Sequence, residues 1–394
     1  MSAASRQPWI HSAGIDGAFI LGPGLLATLV SLAIIATGHG AAGLSLWTWG
    51  VLIVGIDVAH VYSTIYRTYL DPVDRHRLSG WLVWIPLAGW TAGVLLYSMS
   101  AALFWTALAY LAVFHFIRQQ YGFLMIYSRG ERALPRFCSV LDKAAVYAAT
   151  LGPLAYWHTH LPRRFVWFID GDFVGLPGWI WQAVRPVYAL VLIAYVAKEA
   201  WLAATRRQVN LPRNAIVLGT ALSWYVGIVA GTGDLVFTMT NVVAHGIPYM
   251  ALTFIFARGR ERELGETRPW FFPRALLAAI GLLILLAFLE EGLWDGLVWR
   301  EHLRMFPGFG LLPHIDTDAV LAIVVPLLAV PQLTHYVIDG VIWRLKSHPE
   351  WRRTLFWGPG SAAARMRACA ACPPSTDSTG SWSFTAPRRS HWPM

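Results

Sequence analysis

Four histidines stand in apolar surroundings, each with a polar neighbour three or four residues away. His60 follows Asp57, His115 precedes Arg118 and Gln119, and His245 follows Asn241. His335 lies between Gln332 and Asp339 in the stretch Pro331-Gln332-Leu333-Thr334-His335-Tyr336-Val337-Ile338-Asp339-Gly340. On a helix, residues three and four apart share a face, so each histidine and its companion form one polar stripe. Groups of this kind are costly in hydrocarbon and turn towards a bundle interior, a cavity or one another. The four stripes are therefore expected to converge on one site. Neutral imidazole binds iron, copper, zinc and nickel. His60, His115, His245 and His335 are the candidate metal ligands, and the cofactor they imply is a divalent transition metal, iron first. Asp57, Arg118 and Asp339 are the candidate catalytic residues. The acids would orient imidazoles or shuttle protons, and the arginine would neutralise one of them or bind an anionic head group. Gln119, Asn241 and Gln332 are the candidate cofactor-binding residues, placed to fix the ligand tautomers from behind.

These stripes need helices that cross a bilayer. The chain has 394 residues, of which 56% are hydrophobic and 13% charged, with 21 tryptophans. A soluble domain carries about a quarter charged residues. The composition predicts an all-α polytopic transmembrane helix bundle. Ten apolar runs, each near the roughly 20 residues a crossing needs, fall at about 18–38, 44–70, 81–99, 101–127, 140–157, 178–204, 214–232, 235–257, 273–293 and 318–344. The third and fourth are almost continuous through Ser98-Met99-Ser100, so a tight hairpin is required there. The organisation expected is a polar lead over 1–17, a transmembrane domain over 18–357 and a disordered tail over 358–394.

Loop charge sets the orientation. Arginine and lysine gather after the even-numbered runs, as at Arg75 and Arg77, at Arg129, Arg132 and Arg136, and at Arg344 and Lys346. The opposite loops hold only Arg163, Arg164, Arg300 and Arg304, in the company of acids. The positive-inside rule then places both termini in the cytoplasm of a bacterial inner membrane. It also explains the net charge of +9 without nucleic acid. The expected partners are membrane lipids and an apolar small molecule. The four histidines all fall on runs of the same direction, in one layer of the cytoplasmic half. Arg67 reads as an interfacial side chain that snorkels.

Other candidates are weaker. His158 and His160 read as part of a solvated outer loop, and His314 as another outer residue. Cys138, Cys369 and Cys372 give no disulfide framework, and the C-x-x-C at Cys369 and Cys372 stands in the tail. No G-x-S-x-G, Walker A, H-E-x-x-H or dinucleotide fingerprint occurs in usable context. The clustered histidine boxes of di-iron membrane desaturases are absent. Tyr62, Tyr66, Tyr69, Tyr121, Tyr249 and Tyr336 flank the histidines as packing residues or as donors to a redox metal.

Three functional readings stay open on the residues alone. They are a metal-dependent oxidoreductase or oxygenase acting on a lipid-soluble substrate, a transporter or proton-coupled permease using the same residues as a relay, and a haem protein with axial histidines. The phrases Asp57-Val-Ala-His60-Val-Tyr-Ser-Thr-Ile-Tyr-Arg67, His115-Phe-Ile-Arg-Gln-Gln-Tyr-Gly122, Asn241-Val-Val-Ala-His245-Gly-Ile-Pro-Tyr249 and Pro331-Gln-Leu-Thr-His335-Tyr-Val-Ile-Asp-Gly-Val-Ile-Trp343 resemble a group of bacterial multispanning membrane proteins with histidines inside the spans. More distantly, the lone histidines spread over several spans are similar to the bacterial β-carotene cleaving dioxygenases of the Brp/Blh type. That resemblance implies an iron held by histidines and an apolar polyene cut by dioxygen. The paired H-x-x-x-H of that family is absent, and Asp57 and Asp339 have no counterpart in it.

Overall fold

An apolar run in lipid must satisfy its own backbone hydrogen bonds, and a helix does this within one segment. The computed structural model describes residues 7–131, 133–265, 276–344 and 354–356, and among them every long element is a helix. Among the described residues, eight helices are long and apolar enough to cross a membrane: α1 (Ala13–Ala36), α2 (Leu46–Arg67), α4 (Ser79–Met99), α5 (Ala101–Tyr127), α7 (Trp179–Arg206), α8 (Leu211–Ala230), α9 (Asp234–Leu264) and α10 (Leu276–Trp299). The short α3 (Pro72–Arg77) links α2 to α4. The helix α6 (Arg136–Thr159) is as long as a crossing but begins with Arg136, Asp142 and Lys143 in its first turns. The expected tail, with Cys369 and Cys372, lies outside the described residues.

The last expected span is not one rod. It divides into α11 (Asp318–Leu328) and α12 (Val330–Ile342), which meet at 42°. Pro326 lies inside α11 and Pro331 opens α12. Each lacks the N–H that would continue the ladder, and each ring crowds the preceding turn, so the bend falls between them. The polar stretch that starts at Pro331 therefore begins a helix rather than lying in the middle of one.

The hairpin expected near residue 100 is made by a single residue. Ser100 takes an extended backbone, and its hydroxyl accepts from the Leu103 N–H at the start of α5. Such a cap satisfies one of the free donors at a helix start.

The histidine-bearing helices pack directly. α9 lies against α1, α2 and α8, while α12 lies against α2, α4 and α5. Gly246 lets α2 and α9 approach: a Cβ there would stand 2.8 Å from Ile56 Cγ2 and 3.2 Å from the Ile56 carbonyl oxygen. Residues Gly50–Val58 of α2 are wound as a π-helix that ends two residues before His60. Such wide turns re-aim the side chains that follow them.

Two groups of buried charges at the helix ends are paired. Arg67 is fully buried, pairs with Asp74 and lies 4.0 Å over the Phe256 ring. It is not the snorkelling side chain its position suggested. Arg260 joins the same group through Asp71 at 2.8 Å. A second network links Lys198, Asp142, Glu199, Glu131 and Arg213 across α6, α7 and α8. The polar lead is held too: the Asp16 carboxylate accepts from the N–H groups of Ile10 and His11 and from the Tyr127 hydroxyl.

Candidate metal centre

The four histidines meet. His60 on α2, His115 on α5, His245 on α9 and His335 on α12 are 1%, 4%, 1% and 1% exposed. Each offers one ring nitrogen, and these four atoms all lie within 4.8 Å of one another. The rings form a closed circuit of edge-to-face contacts. Centroids are 4.7 Å apart for His60 and His245, 5.0 Å for His245 and His115, 4.5 Å for His115 and His335, and 4.9 Å for His335 and His60. Nε2 of His60 lies 3.1 Å from Nε2 of His245. Four nitrogens at about 2.1 Å from one ion stand about 3.4 Å apart in tetrahedral geometry. The cluster is therefore near the dimensions that a single ion needs, and it could hold one.

The orientation of His335 follows from its hydrogen bonds. Its Nδ1 is 2.7 Å from the Thr64 hydroxyl, which is 3.0 Å from the Tyr249 hydroxyl. Tyr249 donates to Asp339 Oδ1 at 2.5 Å. Since Tyr249 spends its proton on the carboxylate, it accepts from Thr64, and Thr64 in turn accepts from His335 Nδ1–H. The tautomer so fixed leaves Nε2 of His335 with a free lone pair, and that atom is buried with no hydrogen-bond partner in the protein. Nε2 of His115 is also buried without one. Orphaned buried nitrogens on residues of one such cluster are what an ion would satisfy. Phe116 fixes a third ring: it lies parallel to His245, with 3.6 Å between centroids and 5° between planes.

The two acids sit on the rim. Asp57 Oδ1 is 3.6 Å from His60 Nδ1, and the Asp339 carboxylate is 3.8 Å from His335 Nδ1 and 3.9 Å from His115 Nε2. These are ion-pair rather than hydrogen-bond separations. Other expected residues are placed differently. The Gln119 amide donates to the His245 carbonyl at 2.9 Å, so it steadies the backbone of α9 and not the imidazole. The Asn241 amide donates to the Phe237 carbonyl one turn earlier. Gln332 is half-buried one turn before His335, with no side-chain hydrogen bond among the described residues. Arg118 does not join the centre. It is exposed, donates to the Tyr147 hydroxyl at 2.7 Å and lies 4.5 Å over the Tyr121 ring.

Among the lesser histidines, His158 differs from its expected place in a solvated loop. It is buried at the end of α6, between the Leu154 carbonyl and the Tyr110 hydroxyl. His160 and His314 are exposed.

Residues the sequence reading passed over complete the surroundings. Thr64, Phe116 and the orienting role of Tyr249 belong to this group, as do Glu290 and Glu291. Both glutamates lie on α10 within electrostatic reach of Asp57. Two acids at the end of an apolar run were open to the same argument that singled out Asp57. Comparison with protein-family profiles, with curated proteins and with solved structures finds no match to this chain.

Proposed function

We propose that the chain is an integral membrane oxidoreductase of the oxygenase class, with an iron ion held by His60, His115, His245 and His335 and a lipid-soluble substrate. The observation that carries this reading is the closed ring of four buried imidazoles with ligand atoms within 4.8 Å. Neutral nitrogen donors suit iron, copper, zinc and nickel, and the distant likeness to histidine-iron polyene dioxygenases favours iron. A six-coordinate ion would keep two positions outside the histidine set for reaction with dioxygen and substrate. Thr64, Tyr249 and Asp339 hold His335 in its ligating tautomer and raise its basicity. The haem reading is less well supported, because a porphyrin between any two of these rings would occupy the space of the other two.

In the same reading the protein crosses a bacterial inner membrane ten times. The segments α6 and α11–α12 each count as one crossing, and both termini face the cytoplasm. The alternation of basic loops supports this topology.

The test is metal analysis of purified protein by mass spectrometry, followed by dioxygen uptake with apolar polyenes. About one iron per chain and substrate-dependent uptake are expected. Stoichiometric zinc, or no uptake with any apolar substrate, would remove the oxygenase assignment.

A further inference from the structure

The acids on α10 are not needed to build the histidine centre, yet they lead towards it. Glu290 is 5% exposed, and neither of its carboxylate oxygens completes a hydrogen bond, although Tyr62 and Trp294 stand beside it. Glu291 follows directly, and Asp295 lies one turn further along the same face, within reach of Glu291. Asp295 accepts from the N–H groups of Glu301 and His302 through Oδ1, and its Oδ2 is buried without a partner. His302 has its Nδ1 4.0 Å from Asp295 and is 24% exposed in the loop beyond α10, where it stacks on Trp49. At the other end, Asp57 and Tyr336 are within electrostatic reach of Glu290. The Tyr336 ring lies 5.0 Å from that of His115.

No arginine or lysine pairs with Glu290, Glu291 or Asp295 among the described residues. Unpaired carboxylates inside an apolar bundle need a counter-charge. Only the four histidines gather three or more ligand atoms within 4.8 Å among those residues, so the acids are not arranged as a second metal cage. The counter-charge the geometry does allow is a proton.

We propose that Glu290, Glu291 and Asp295, entered from His302, conduct protons between the loop beyond α10 and Glu290 in the bundle interior. A proton leaves a ring nitrogen of His302 for Asp295 and passes to Glu291 and then to Glu290. Each carboxylate gains an O–H on one oxygen and releases a proton from it or from the other. One positive charge moves, and nothing is oxidised or reduced. The groups facing the string are Asp57 and Tyr62 of α2 and Tyr336 of α12. Asp57 touches His60 and is not counted among the carriers. The string does not rest on the metal-centre reading.

The experiment uses the full-length protein in lipid, with infrared spectra recorded as pH is stepped in H2O and in D2O. Wild type should show a carboxylic C=O band that shifts on deuteration, and Glu290→Gln should lose part of it. If Glu290→Gln yields no folded protein, Glu291→Gln reads the same band. His302→Ala should keep the band but slow its deuteration several-fold. Absence of an exchangeable carboxylic band, or a band unchanged in both glutamine variants, would overturn the proposal. Metal content measured on the same samples should not move; a loss in Glu290→Gln would assign the glutamates to the metal instead. A wild-type protein without metal would count against the metal-centre reading and leave the infrared result to be judged by itself.

Discussion

The Thr64 hydroxyl stands 2.7 Å from Nδ1 of His335, and these two residues are on different helices, 271 positions apart in the chain. The contact decides which nitrogen the histidine presents to the centre. It also ties α2 to α12 at the level of the ring of imidazoles.

Thr64→Val keeps the shape and removes the acceptor. His335 Nδ1–H is then buried without a partner, and the Tyr249–Asp339 pair loses its link to the ligand. Loss of such a supporting group costs about 10–100-fold in metal affinity. Titration against a chelator should show that loss, with Thr64→Ser restoring most of it. Equal affinity in wild type and Thr64→Val would mean that the hydroxyl does not set the tautomer.

Phe116 tests the packing side of the same ring of ligands. Its face covers His245. Phe116→Ala should cost about 3–5 kcal/mol of stability, as for other buried phenylalanines. Phe116→Leu should keep most of the fold while metal binding weakens, because a leucine cannot hold the imidazole plane. Thermal unfolding and chelator competition on the two variants separate the effects.

Gly246 of α9 packs directly on Ile56 of α2. A methyl group there meets Ile56 side chain and backbone. Overpacking of this kind costs about 1–3 kcal/mol. Gly246→Ala should lower both melting temperature and metal occupancy, because His60 and His245 are the ligands moved apart. Unchanged values would show that the helices part without disturbing the centre.

How much of this was readable beforehand follows from what periodicity carries. A histidine with a polar residue one turn away marks a polar stripe on its own helix, and all four histidines of the cluster were picked out that way. The near-continuous run at Ser98 to Ser100 required a hairpin, and Ser100 supplies it. The partners across helices were not readable. Thr64 is an ordinary residue in an apolar run until α12 is packed against it. Gln119 has the right spacing to serve His115, yet its amide reaches the backbone of His245, because helix depth and not sequence spacing decides the nearest acceptor. Arg118 has the right spacing too, but the turn of α5 points it towards Tyr147. The bend between α11 and α12 did have a signal, in Pro326 and Pro331, that a count of apolar residues ignores.

Orientation has its own check. Reporter fusions in the loop over 160–178 and directly after Arg344 should report opposite sides of the membrane, with the second in the cytoplasm. The same side for both would break the ten-crossing topology.

The central claim is that four imidazoles from four helices share one ion. X-ray absorption fine structure at the metal edge of the purified protein reads the ligand shell directly. The expected result is about one ion per chain with nitrogen neighbours at about 2.0–2.2 Å and outer-shell scattering from at least three imidazole rings. His335→Ala should reduce that imidazole count or the occupancy, and the exposed His39→Ala should leave both unchanged. A shell of sulfur, a shell with fewer than two imidazoles, or a protein that holds no ion would contradict it.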